Sequence, residues 1–257
     1  FSPRMYDEFG TTAPSYYAAK AGIDALTRYM AGVGGNHNIR INCVRPGQIM
    51  TPGATRGTLK DPDGGHHVFR VGEQDGSIPP RTEKIAALLD CIDGSYATDN
   101  LWGERWAKLS QNSMGNAISA MTGLGSQERA LDTRCRLISI QLAKESAQVG
   151  LAMGLDVVEI NGHPARMWAD ADKGDVYEEL DDYMSTQGGR VNWLASMAQD
   201  VKKGRRSEID FMNGLVAEKG REHSVPPPYN DAIIDAMHGI DDGSLALDPA
   251  HVDRILR

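Results

Sequence analysis

Two sets of residues in this chain have types and spacings suited to chemistry. In "SYYAAKAG" (15–22), Tyr16 and Lys20 stand four apart in an Ala-rich run, so a helix projects both from one face. An ammonium beside a phenol favours the phenolate and lowers its pKa, which makes the tyrosine a usable proton donor near neutral pH. In "WAKLSQNSMGN" (106–116), Lys108, Asn112 and Asn116 step by four. On a 3.6-residue helix that spacing drifts by about 40° per step and forms one polar stripe. A lysine with two amides on one face can hold a 2-oxo acid. The ammonium hydrogen-bonds and protonates the carbonyl oxygen, while the amides orient carboxylate or hydroxyl. Both sets also fit blander roles, a solvated helix face for the second and an exposed lysine on a remnant helix for the first. Further on, Glu208 in "RRSEID" (205–210) can pair with a lysine or bind a hydroxyl, or sit as a favourable charge at a helix N-terminus.

Elements must position these groups. The spacing of Ile23, Leu26, Tyr29 and Met30 behind Pro14 and Ser15 predicts a helix over 14–33. "NIRINCV" (38–44) reads as a buried strand, left by the turn-rich loop "RPGQIMTPG" (45–53). Residues 57–67 are rich in Gly, Asp and Pro and read as a loop, and "HVFRVGE" (67–73) follows as a short strand. From about residue 80 the helical period dominates, through "PRTEKIAALLDCI", "NLWGERWAKLSQNSMGNAISAMTG" and "RALDTRCRLISIQLAKESAQVGLAMG". Residues 154–190 are polar, acidic and Gly-rich, with weak helical pieces. "RVNWLASMAQDVKKG", "SEIDFMNGLVAEKGREH" and "NDAIIDAMHGI" add further helices.

With 257 residues the chain can bury a substantial core. Thirty-five acidic residues against 27 Lys and Arg give a net charge of −8, which argues against nucleic-acid and anionic-membrane partners. Cys43, Cys91 and Cys135 are too few and too scattered for a disulfide framework or a zinc site, and they fit a reducing cytoplasm. No apolar run is long enough to span a bilayer. The expected location is cytoplasmic.

Taken as a set, Tyr16-x-x-x-Lys20, the helix "AGIDALTRYMA", the strand "NIRINCV" and the loop Pro46-Gly47 to Thr51-Pro52 resemble the short-chain dehydrogenase/reductase family over about residues 1–65. The resemblance implies Tyr16 as proton donor and Lys20 as its pKa-lowering partner and ribose ligand. It places Pro46, Gly47 and Thr51 beside a nicotinamide. From about Phe69 onward, "FRVGEQDGSIPPRTEKIAALL", "WAKLSQNSMGNAISAMTG", "SMAQDVKKGRRSEIDFMNG" and "GREHSVPPPYN" resemble the C-terminal, substrate-binding domain of the ketopantoate reductase (2-dehydropantoate 2-reductase) family. That resemblance implies an all-helical domain and NADPH-dependent reduction of a 2-oxo acid to a 2-hydroxy acid. It assigns Lys108 as catalytic lysine, Asn112 and Asn116 as substrate amides, Ser196 as the serine that holds the substrate, and Glu208 as the glutamate near substrate and cofactor.

The expected fold class is therefore mainly α: a helical ketopantoate-reductase-type domain (71–257), a linker (57–70), and before it a partial α/β, Rossmann-like fragment (1–56). A Gly-x-Gly-x-x-Gly turn that would seat a pyrophosphate is not found. "GVGGNH" (32–37) and "GLGSQE" (123–128) lack the third glycine and follow no strand. The chain on its own is thus expected to be inactive with NADPH. The expected ligand is a small 2-oxo acid, and a homodimer through the helical domain is the expected assembly. Two rivals stand beside this reading: a short-chain-dehydrogenase-type oxidoreductase using Tyr16 and Lys20, and a non-catalytic helical module for oligomerisation or ligand binding.

Overall fold

The structure, a computed structural model, describes residues 14–37, 39, 67–91, 94–189 and 192–256. The chain divides into two compact units, Phe1–Gly65 and His66–Arg257. In the first, one element is described, helix α1 (Pro14–Gly35). Proline is tolerated where it opens a helix, because the N–H it lacks would have no partner there. The helix carries the backbone of Tyr16 and Lys20. Ile23, Leu26, Tyr29 and Met30 on it are exposed. The expected strand "NIRINCV" and the loop with Pro46, Gly47 and Thr51 lie outside the described residues.

The second unit opens with strand β1 (Phe69–Val71), helix α2 (Pro80–Asp90) and strand β2 (Ser95–Ala97). The two strands pair in parallel, Phe69 opposite Ser95 and Val71 opposite Ala97, with α2 packed on both. A parallel pair needs a crossover, and α2 supplies it. An all-helical domain was expected, and this small β–α–β unit amends it. "SYA" is too short to show a strand period, so β2 is not legible in the sequence.

Helices then follow in close succession: α3 (Leu101–Ser113), α4 (Asn116–Thr122), α5 (Ser126–Leu131) and α6 (Thr133–Ala152). Shorter ones come next, α7 (Ala165–Ala169), α8 (Val176–Ser185) and α9 (Ser196–Lys202). A 3-10 turn (Ile209–Phe211) leads to α10 (Asn213–Glu222) and α11 (Pro228–Asp241), and a second (Pro249–His251) to α12 (Val252–Ile255). No helix of the described residues is long and apolar enough to cross a membrane.

α6 is the axis of the core, packed against α3, α5, α7, α8, α10, α11 and α12. Its composition explains this, since Ile138, Ile140, Leu142, Ala143, Ala147 and Val149 are fully buried and, between its first and last turns, only a narrow line through Leu137, Lys144 and Gln148 is partly exposed. α3 approaches it closely at Gly150, where a Cβ would collide with the Trp106 ring, and the Trp106 indole N–H donates to the Ser146 carbonyl at 2.8 Å. Two residues earlier on α3, Glu104 pairs with Arg70 of β1 at 2.7 Å and accepts a hydrogen bond from Tyr96 of β2.

A buried polar chain crosses this core. The Glu145 carboxylate on α6 accepts from the backbone N–H of Tyr229 (2.8 Å) and Asn230 (2.9 Å) and from the Asn230 side chain (2.7 Å), closing the first turn of α11. Asn230 in turn accepts from the Asn213 amide at 2.9 Å, and the same amide donates to the Ser113 carbonyl at 3.1 Å, the end of α3. Burial pushes the Glu145 carboxyl above its ordinary range, against the donors that favour its ionised form. Glu145→Gln turns one acceptor oxygen into a donor facing N–H groups. It is expected to cost about 2 kcal/mol, read as a lower urea midpoint at unchanged slope. An unaltered midpoint would show that the chain carries no stability.

Candidate active site

The polar stripe of Lys108, Asn112 and Asn116 was expected on one continuous helix. The structure breaks that helix: α3 ends at Ser113, and Asn116 is the first residue of α4. Gly115 lies between them at φ −135° and ψ −29°, outside helical geometry. Its carbonyl still accepts from Ser119 N–H at 3.1 Å, so α4 restarts at once. All three side chains nevertheless line one cavity of about 320 Å3. Lys108 is exposed at its mouth, with the Gln111 amide oxygen at 3.5 Å, and Asn112 and Asn116 are half-buried.

Two further walls close the cavity. One is α5, whose Arg129 donates through Nη1 to the Gly115 carbonyl at 3.1 Å, directly beside the helix break. The other is the segment leading to α9, pinned to the start of α5. Ser126 N–H donates to the Trp193 carbonyl (2.9 Å), Gln127 N–H to the Asn192 side chain (3.0 Å), and Ser126 Oγ to the Gly188 carbonyl (2.8 Å). This lays Trp193 on the cavity with its ring half exposed. Arg136 also reaches the lining, but its charge is neutralised by a bidentate pair with Asp181 at 2.7 and 2.9 Å, which holds its pKa above the ordinary value. Among the described lining residues none is an Asp or Glu.

The other expected site residues do not share this wall. Ser196 is the first residue of α9, which packs against α4, and Glu208 precedes the first 3-10 turn; both are exposed, and neither lines the cavity. Tyr16 and Lys20 belong to the other compact unit. Gln111, Arg129, Asn161 and Trp193 line the cavity although sequence reasoning did not select them. Asn161 had a usable signal. "NG" marks a tight turn with both residues at positive φ, here 51° and 77°, under the Ile160–His163 bridge. Arg129 had none, because it comes to the cavity only through the fold of α5 back onto Gly115.

The described residues do not fit a pyrophosphate. A seat of that kind needs a glycine turn open at a helix N-terminus, whereas the glycine after β1, Gly72, is packed: a Cβ there would lie 2.8 Å from the Thr98 carbonyl oxygen. Nor do the described residues group three or more His, Cys, Asp or Glu as metal ligands.

This helical architecture is shared with solved 2-hydroxy-acid and ketopantoate enzymes. Similar structures include D-mandelate dehydrogenase in complex with NADH (TM-score 0.55, 19% identity, 68% of this chain and 54% of that one). Another is a PanE/ApbA-family ketopantoate reductase from Ralstonia eutropha JMP134 (TM-score 0.52, 23% identity, 70% and 53%). Residues 100–241, more than half of the chain, match the family described as ketopantoate reductase PanE/ApbA C terminal. The chain belongs to the ketopantoate reductase family. Among relatives, the 2-dehydropantoate 2-reductase of Archaeoglobus fulgidus is 26% identical over 220 residues, 82% of this chain and 66% of that protein. The one from Mesorhizobium japonicum is 29% identical over 231 residues, 80% and 63%. The chain thus spans less than two thirds of the length of these relatives. Residues 7–69 match a separate family described as enoyl-(acyl carrier protein) reductase, which agrees with the short-chain dehydrogenase/reductase resemblance of that segment.

Trp193 offers a direct reading of the cavity, since Trp106 and Trp168 are buried and hydrogen-bonded elsewhere, and the fourth tryptophan, Trp102, donates its indole N–H to the Gln74 carbonyl away from the cavity lining. Titrating a small 2-oxo acid is expected to change tryptophan emission in wild type, and Trp193→Phe is expected to remove most of that change. A change that survives intact in Trp193→Phe would place the ligand outside this cavity.

Proposed function

We propose that the helical unit binds a small 2-oxo acid between Lys108, Asn112 and Asn116, as the substrate-holding part of an oxidoreductase that uses NADPH to form the 2-hydroxy acid. The convergence of those three side chains on one carboxylate-free cavity carries the reading, although a break in the helix separates them. A cavity of about 320 Å3 suits a small acid. The Lys108 ammonium hydrogen-bonds the 2-oxo oxygen, drawing negative charge towards it, and delivers a proton to that oxygen as the carbonyl is reduced. The Asn112 and Asn116 amides offer donors to the carboxylate and acceptors to a hydroxyl. Ser196 and Glu208 enter the proposal on family resemblance alone, as contacts to parts of the ligand that extend beyond the cavity. The nicotinamide cofactor is likewise inferred from the family, and the described residues contribute acid binding and the proton.

Calorimetric titration of the 257-residue chain with a 2-oxo acid tests the proposal. Lys108→Ala is expected to weaken binding by about tenfold or more, the loss of one charge-assisted hydrogen bond. Unchanged affinity would remove Lys108 from the site. Any NADPH-dependent turnover is expected to vanish in Lys108→Ala and persist in Tyr16→Phe. Loss in Tyr16→Phe instead would make the N-terminal unit the working half, the rival that its own family match supports.

A further inference from the structure

Arg129 is the cavity residue whose surroundings leave most unexplained. Its guanidinium makes one hydrogen bond, to the Gly115 carbonyl, and its buried Nε has no hydrogen-bond partner among the described residues. Other arginines of this unit are matched with acids: Arg70 with Glu104, Arg134 with Asp132 and Asp253, Arg136 with Asp181. Among the described residues Arg129 has no such partner. Burial pulls its pKa below the ordinary value, and the nearby Cys135 thiol, pushed up to about 12 chiefly by burial, supplies no counter-ion. A half-buried cation without a counter-ion is costly to keep, and an incoming anion offsets that cost.

The placement separates this cation from the reacting end. Lys108 stands on α3, whereas Arg129 comes from α5 and is anchored at Gly115, seven residues further along and beyond the helix break, so the ammonium and the guanidinium approach the cavity from separate places on its wall. Met114, Met184 and Trp193 line the same cavity and suit a methylene spacer. We propose that Arg129 receives a second carboxylate, so that the acid held here is a short 2-oxo dicarboxylate, with Lys108 on the 2-oxo group and Arg129 on the distal carboxylate. The planar guanidinium fork matches a carboxylate in a bidentate way that a lysine does not. This rests on the proposed function for the 2-oxo end but adds a group which that reading does not need. Arg129→Gln keeps Lys108 in place, so the variant separates a carboxylate held by the guanidinium from general attraction to the cationic cavity.

Calorimetric titration of the full chain with 2-oxoglutarate, with 2-oxopentanoate of equal carbon number, and with glutarate tests it. In wild type, 2-oxoglutarate is expected to bind about tenfold or more tightly than 2-oxopentanoate. Arg129→Gln is expected to bring that ratio close to one, whatever it does to the affinity for 2-oxopentanoate itself. Equal affinities in wild type, no binding by either acid, or a ratio that survives Arg129→Gln each overturn the assignment. The wild-type ratio decides the matter even where the variant fails to fold. Preference for 2-oxoglutarate over glutarate, and its loss in Lys108→Ala, reports separately on the 2-oxo end. That arm can fail while the carboxylate arm holds.

Discussion

The chain of buried hydrogen bonds from Glu145 through Asn230 and Asn213 to the Ser113 carbonyl is the constraint on which the rest of the helical unit depends. Its members are nearly or fully buried, so each donor or acceptor left without a partner would cost more than the bond contributes. The chain ties the middle of α6, the start of α11, the start of α10 and the end of α3 to one another. Apolar packing alone would allow these helices to slide by a fraction of a turn. Directional bonds between fixed residues select one register. Because the last link grips Ser113, the position of Asn112 is set from the core outward, and that of Lys108 one turn before it.

The break after Ser113 does not disperse the polar row. In a straight helix Lys108, Asn112 and Asn116 drift around the axis and present a gently curving row. With the helix restarted at Asn116, the row still lies along the wall of one cavity. Gly115 is suited to the joint because a Cβ there would stand 3.0 Å from Arg129 Nη1. The close approach of Arg129 on α5 and the break between α3 and α4 thus fall on one small residue.

Much of this was legible in the sequence, for identifiable reasons. Long amphipathic or wholly apolar runs announce themselves by period, so α1, α2, α3, α6 and α11 were visible. The four-residue stepping put Lys108, Asn112 and Asn116 on one face, and all three line one cavity; their roles came from the family resemblance alone. The split of α3 from α4 was not visible, because "SMGN" contains only one weak breaker and Gly115 is not at positive φ. The split of α5 from α6 could have been read from Asp132, whose carboxylate caps Arg134 N–H at 2.8 Å, but the surrounding helical period masked it. Arg129 illustrates the general limit: a residue enters a cavity through tertiary folding, and local spacing says nothing of which residues arrive from elsewhere.

The contact between Trp106 and Gly150 carries a consequence for how sequences of this architecture can diverge. The indole lies where a side chain at 150 would otherwise be, and its N–H is spent on the neighbouring Ser146 carbonyl. Volume at the α3–α6 crossing is therefore shared between two positions and can be redistributed only within the pair. A larger residue at 150 demands a smaller one at 106, together with another donor for the carbonyl that the indole serves. Single steps along either coordinate are penalised, while the joint change is open. The two positions should therefore vary in concert, as one unit of inheritance, even though 44 residues separate them in the chain.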